Sequence, residues 1–106
     1  MNAIKTAFNE LITVEQIVSA SLSGTDIDRH TENVVKSMRT VVDQVDKGVL
    51  DLKNIKDVAE SITQLCKLIL KTKESNPLIS VDLIIAITKA TSEANRAVKI
   101  AKEALK

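Results

Sequence analysis

His30 is the only histidine of the chain and the first candidate for chemistry. Three carboxylates lie close to it in sequence, at Asp26, Asp28 and Glu32. The segment begins like a calcium-binding loop, but such a loop needs a glycine at its sixth position and a glutamate at its twelfth. The sequence has Thr31 and Ser37 there. We therefore predict no calcium site and expect the acids to complement the dipole at the start of a helix.

Cys66 is the only cysteine and lies between Ile62 and Ile69 in an apolar pattern, where a thiol usually acts as a small buried hydrophobic group. A single cysteine cannot form an internal disulfide, which favours a reducing compartment. The chain has no glycine-rich phosphate loop or nucleophile elbow to complete a catalytic set. We therefore expect no enzyme activity, no metal and no cofactor.

Length and composition predict one domain, over residues 1–106, with a packed core. Hydrophobic residues make up 44% of the chain and charged residues 27%, which is ordinary for a globular protein. Fifteen basic residues nearly balance fourteen acidic ones, and Phe8 is the only aromatic residue. Because phosphate neutralisation and base stacking both lack their usual residues, we expect no nucleic-acid partner.

The sequence carries no pattern of an export signal or a membrane span. Between Met1 and Val14 the only basic residue is Lys5, and Glu10 interrupts the apolar positions, unlike a signal peptide. The longest apolar run, residues 78–87, contains an aspartate and has about half the length of a bilayer span. We expect a cytoplasmic protein without a transmembrane segment. Contact with a membrane surface is a minor alternative, because lysines lie beside leucines in residues 67–73.

Apolar residues recur at spacings of three and four, which predicts amphipathic helices. We expect four helices, over residues 3–22, 27–47, 51–72 and 77–105. Gly24 ends the first helix, and Thr25 with Asp28 starts the second in a pattern similar to a capping box. Pro77 is predicted to open the fourth helix, with Asn76 as its N-cap. The predicted core stripe of that helix is Ile84, Ile87, Thr91, Ala94, Val98, Ala101 and Leu105. Ala90, Ala97 and Ala104 flank this stripe and permit close approach of a neighbouring helix.

Gly48 decides between two architectures. The apolar spacing continues through it, so the second and third helices could be one long helix in a three-helix arrangement, covered by a swapped dimer. A break at Gly48 instead gives helices of similar length that can pack as antiparallel neighbours. We favour this second interpretation, an all-α, antiparallel up-and-down four-helix bundle.

One end of this bundle carries more aliphatic residues than the core needs. Apolar residues between positions 78 and 87 point all round the fourth helix, and the end of the third helix, at positions 65–70, shows the same excess. Antiparallel packing brings the two segments together, and a large exposed apolar patch usually marks a partner site. The predicted partner-binding residues are Leu68, Leu70, Ile79, Val81 and Ile85, with Lys67, Lys71 and Asp82 at the rim.

The function predicted from these residues is a non-catalytic interaction or regulatory module that binds a protein partner. A self-assembling structural homo-oligomer that uses the same residues is one alternative. The chain also resembles small helical immunity proteins in its size and lack of a signal, and it resembles histidine phosphotransfer domains in architecture. The phosphotransfer family has a lysine three residues after its histidine and a small residue next, where this sequence has Asn33 and Val34.

Overall fold

The computed structural model describes residues 2–106, and the predicted domain begins one residue earlier, at Met1, which lies outside that range. The described residues contain helices and no strands. The helices are α1 Asn2–Phe8, α2 Glu10–Ser21, α3 Asp26–Asp46, α4 Leu52–Lys73 and α5 Val81–Ala104. The first two form one rod, so residues 2–106 form four rods and the predicted up-and-down bundle is confirmed. It measures 45 × 19 × 18 Å.

The four rods stand at the corners of a square. The α1–α2 rod packs against α3 and α5, and α4 packs against the same two helices, whereas the diagonal pairs do not approach each other. Consecutive rods run in opposite directions. The turn before α3 and the loop before α5 therefore lie at one end of the bundle, and the loop before α4 lies at the other.

Both glycines end helices in the left-handed backbone region. Gly24 has a φ of 80° and Gly48 a φ of 78°. After Gly24, the Thr25 hydroxyl accepts a hydrogen bond from the Asp28 amide at 3.2 Å, so the predicted start of α3 is confirmed. Asp51 caps α4 in the same way, accepting from the amide of Asn54 at 3.1 Å. Since Gly48 separates α3 from α4, the fused three-helix alternative is wrong.

The predicted start of the last helix is also wrong. Its N-cap is Ser80, whose hydroxyl accepts from the Leu83 amide at 3.1 Å. Pro77 lies before the helix, in a turn closed by the bond from the Ile79 amide to the Asn76 carbonyl at 3.3 Å. Proline favours the second position of such a turn as well as the first turn of a helix.

Ile79 gives the physical reason for the later start. It is only 8% exposed and belongs to the core, so the chain turns inward before α5 begins. Ile79 precedes the N-cap, and half-buried Ile84 is the fourth residue of the helix. These are the two positions of a hydrophobic staple, which fixes the angle at which a chain enters a helix.

The first predicted helix contains a local irregularity at Asn9. Its backbone remains helical, with φ −60° and ψ −33°. The Asn9 amide donates to Thr6 at 3.2 Å, and its carbonyl accepts from Ile12 at 3.0 Å. Both bonds span three residues, so the rod is tightened by a 3₁₀ turn between α1 and α2.

Aliphatic side chains fill the core around Phe8. In the first rod, the apolar residues spaced by three and four are all buried: Ile4, Ala7, Phe8, Leu11, Val14, Val18 and Leu22. The predicted stripe of α5 is rotated from the buried one. Thr91 and Val98 are half-buried and Leu105 is 51% exposed. The buried face is rich in alanine, and α5 packs against both α4 and the α1–α2 rod. That face is Leu83, Ala86, Ile87, Ala90, Ala94, Ala97 and Ala101.

Candidate docking surface

His30 and its neighbouring acids serve the start of α3. The Asp28 carboxylate accepts from the Gly24 amide at 2.8 Å, and the Asp26 carboxylate pairs with Arg29. Among residues 2–106, no three histidine, cysteine, aspartate or glutamate side chains gather closely enough to hold a metal. His30 is half-buried. The shallow groove that it shares, between α3 and α4, is lined by Asp26, Asn33, Val34, Ser37 and Ser61.

Hydroxyl groups near this groove are engaged with their own helices. Ser61 donates to the carbonyl of Asp57 at 2.9 Å. Thr31, the one buried polar residue of the described chain, donates to Ile27 at 2.7 Å. These are the back-bonds that serine and threonine commonly make inside helices. The hydroxyls therefore stabilise local structure and are not aligned with His30 by any hydrogen bond in the described residues.

The predicted partner-binding residues divide into exposed and covered side chains. Val81 is 70% exposed, Ile85 60% and Leu70 44%. Leu78, at 59%, belongs with them although the sequence prediction did not select it. Ile79 is the clear exception, because its side chain is buried in the core where the loop turns inward. Half-buried Leu68 packs against the core, while Lys67, Lys71 and Asp82 are exposed at the same end.

Helical geometry also separates the two predicted leucines of α4. Leu68 and Leu70 are two residues apart and cannot share a face. Leu68 follows Ser61 by two turns, on the edge of α4 that lines the α3 groove. Leu70 lies on the opposite edge, toward α5. The predicted surface is therefore smaller than expected, and we define the aliphatic patch as Leu70, Leu78, Val81 and Ile85.

The outward side of α5 continues beyond the aliphatic patch. Positions spaced by three and four residues along it are all exposed. We call this set the outer stripe, and its residues are Val81, Ile85, Thr88, Ser92, Arg96, Lys99 and Glu103. A shallow basic hollow lies over its second half. The hollow is lined by Ser92, Asn95, Arg96, Val98, Lys99 and Lys102.

Charge is distributed unevenly between the two halves of the bundle. Ten of the fifteen basic residues lie in residues 52–106, but only six of the fourteen acidic residues do. The half formed by α4 and α5 is thus positive, and the other half is negative. The balanced total concealed this asymmetry, although counting each half of the sequence separately would have revealed it.

Few of these positive charges are neutralised by ion pairs. Lys5 with Asp46 at 2.6 Å and Arg39 with Glu15 at 3.6 Å join the first rod to α3. In the part of the chain that the structure describes, Lys89 is the one basic residue of α4 or α5 within 4.0 Å of a carboxylate, at 3.6 Å from Glu10. The lysines around the aliphatic patch and the basic hollow therefore remain available to a partner.

Two further exposed aliphatic residues lie at the other end of the bundle. Val49 is 50% exposed and Leu105 51%. They resemble the patch residues in exposure but are separated from them by most of the 45 Å length of the molecule. They offer matched controls for substitutions in the patch.

Comparison with known proteins found no matching family model, no matching curated protein and no matching solved structure. Within residues 2–106, every helix is too short or too polar to cross a bilayer. The exposed residues and their charges are therefore the features that indicate a function.

Proposed function

We propose that this chain is a non-catalytic interaction module that binds a protein partner through the aliphatic patch. The observation that supports the proposal is the exposure of Val81, Ile85, Leu78 and Leu70, between 44% and 70%, at one end of the bundle. Scattered aliphatic residues are normal on protein surfaces, whereas a contiguous group of them usually marks an interaction site. A reducing, cytoplasmic location is part of the proposal and rests on the single cysteine.

The size of the patch limits the affinity that it can provide. Complete burial of one such side chain contributes about 1.5–3 kcal/mol, so covering the exposed halves of four would contribute about 3–6 kcal/mol. That gain is near the 4.1 kcal/mol of a millimolar complex, before the cost of immobilising the partner is subtracted. The patch can anchor a complex, but a tight complex needs additional contacts around it.

The patch suits a rigid mode of recognition. Val81 and Ile85 are one turn apart and project from the same side of α5. A helix of the partner can lay its apolar face along these residues, as amphipathic helices do on apolar surfaces. The bundle would change little on binding, since both residues belong to a regular helix.

Affinity capture with matched variants tests the proposal. Wild type, Ile85→Asp, Leu70→Asp and the control Leu105→Asp are immobilised and exposed to an extract of the source cells, and retained proteins are quantified by mass spectrometry. We expect a protein that wild type and Leu105→Asp retain and that the two patch variants lose. Circular dichroism must show equal helicity for all four. Identical retention by every variant would contradict the proposal, as would unfolding of Ile85→Asp.

Self-assembly through the same patch is the alternative that the capture experiment leaves open. Sedimentation of the purified protein at tens of micromolar decides it, because a tight dimer would leave the patch occupied by a second copy. No observation on the structure favours the immunity-type alternative. The phosphotransfer alternative is not favoured either, because His30 lies in the second turn of α3 and the Val34 side chain is buried in the core.

A further inference from the structure

The outer stripe changes its chemistry along the length of α5. It begins with aliphatic Val81 and Ile85 and continues through small polar Thr88 and Ser92. It then reaches the basic hollow, which Arg96, Lys99 and Lys102 line, and it ends at the single acid Glu103. At a rise of about 1.5 Å per residue, the distance from Val81 to Lys99 is about 27 Å.

The aliphatic half of this surface also has a basic border. Lys67 and Lys71 are exposed on α4, at the same end of the bundle as the patch. Neither lies within 4.0 Å of a carboxylate among the described residues. Acidic groups of a partner would therefore meet positive charge beside the patch as well as at the basic hollow.

A second copy of the chain does not fit the full length of this surface. An isologous dimer brings a surface against itself. If the two α5 helices were antiparallel, Val81 and Ile85 would face the charged end of the other stripe. If they were parallel, Arg96 and Lys99 would each face their own copy, and like charges directly opposed are unfavourable. The aliphatic residues thus require apolar side chains in the partner, and the basic residues require acidic ones.

A membrane surface fits less well than a protein. Helices that bind lipid present a continuous apolar face along their length. The continuous apolar face of α5 is turned into the bundle, from Leu83 to Ala101. Only the first two turns of its outer stripe are aliphatic, and Asp82 is exposed beside them.

We infer that the outer stripe binds a helix of another protein in which aliphatic residues occupy one end and acidic residues the other. The inference rests on the proposed function and adds the chemistry of the partner. The aliphatic end of that helix lies on Val81 and Ile85, and its acidic end lies over the basic hollow. Charge complementarity then fixes the register and direction of the helix along α5.

Synthetic helical peptides of about 18 residues test this inference, because that length spans the stripe. The first peptide has leucines at one end and glutamates at the other. The second has the same composition with leucines and glutamates interleaved, and the third replaces each glutamate of the first by glutamine. Fluorescence anisotropy measures their binding to the full chain. At about 0.05 M salt we expect the first peptide to bind at least about tenfold more tightly than the others, and about 0.5 M salt should remove most of the advantage over the glutamine peptide.

Variants of the chain assign the effect to residues. Arg96→Gln/Lys99→Gln should remove the preference for glutamate, while the control Lys36→Gln/Lys47→Gln, on the acidic half, should retain it. Ile85→Asp should weaken all peptides. Circular dichroism must show that the variants remain as helical as wild type.

Several results would overturn the inference. Equal binding of the glutamate and glutamine peptides at both salt concentrations would overturn it and leave the aliphatic docking of the proposed function standing. The same holds if no peptide binds while affinity capture still depends on Ile85. Binding to phosphatidylserine vesicles that Arg96→Gln/Lys99→Gln abolishes, without peptide binding, would assign the surface to lipid. A stable dimer in sedimentation would assign it to a second copy.

Discussion

Replacing Ile85 and Ile87 separately by alanine compares two neighbouring isoleucines of α5 that the structure places in opposite surroundings. Ile87 is 0% exposed and Ile85 is 60% exposed. The same atoms are deleted from the same helix, so differences in composition and helix propensity cancel. The comparison therefore measures burial alone and tests whether the outer stripe faces solvent.

The two expected losses in stability differ severalfold. Deleting the buried Ile87 side chain leaves a cavity and should cost about 2–5 kcal/mol. The Ile85 side chain is mostly in water already, and alanine favours the helix by a few tenths of a kcal/mol, so that substitution should cost less than about 0.5 kcal/mol. Since a domain of this size is stable by about 5–15 kcal/mol, the first change is a large fraction of the total.

Urea unfolding followed by far-ultraviolet circular dichroism provides the measurement, because the chain has no tryptophan or tyrosine for fluorescence. With a slope of about 2 kcal/mol per molar urea, Ile87→Ala should lower the midpoint by about 1–2.5 M and Ile85→Ala by less than about 0.3 M. Equal shifts would refute the account, since Ile85 would then be part of the core and would no longer belong to the aliphatic patch.

Three substitutions test the helix boundaries. Ser80→Ala should lower the free energy of unfolding, measured in urea, by about 1 kcal/mol, because it removes the hydroxyl that accepts from the Leu83 amide. Asn76→Ala should lower it by less. The opposite order would indicate that α5 begins at Pro77. Gly48→Ala should cost about 1–2 kcal/mol from the backbone alone, because φ is 78° and no atom lies within 4 Å of the added methyl group. A gain in stability would indicate that the helix continues through Gly48.

The bundle could be predicted from the sequence because its helices carry strong local signals. Spacings of three and four residues identify each rod. Gly24 marks the end of the first rod, and Gly48 marks the end of α3. The start of α5 was harder. Pro77 and Ser80 are both acceptable near the first turn of a helix, and the burial of Ile79 decides between them. The burial of Ile79 depends on how the loop packs against the other rods, and a local sequence pattern does not predict that packing.

The orientation of α5 could not be obtained from periodicity for a similar reason. Its first half is apolar on all sides, and its alanines contribute little to any hydrophobic pattern. The predicted stripe through Thr91 and Val98 was therefore as good a sequence pattern as the buried one through Ala90 and Ala97. Close packing of α5 between its two neighbouring rods, a tertiary effect, selects the alanine face.

The exposure of the side chains at the candidate surface was predicted in part. Exposure of Leu70, Val81 and Ile85 agrees with the expected excess of aliphatic residues. Two features were available in the sequence and were missed. Leu68 and Leu70 could have been separated by helical geometry. The positive excess of residues 52–106, which gives the outer stripe its basic end, only required counting each half of the chain.

Methyl-resolved nuclear magnetic resonance, with the peptide that separates leucines from glutamates, tests the central claim most directly. The valine, leucine and isoleucine methyl groups of the full chain are labelled, and their chemical shifts are followed as the peptide is added. We expect shifts at Val81 and Ile85, and none at Val49 and Leu105, which are similarly exposed at the other end. Shifts confined to Val49 and Leu105, or a spectrum that saturating peptide leaves unchanged, would contradict the claim that the outer stripe is the docking surface.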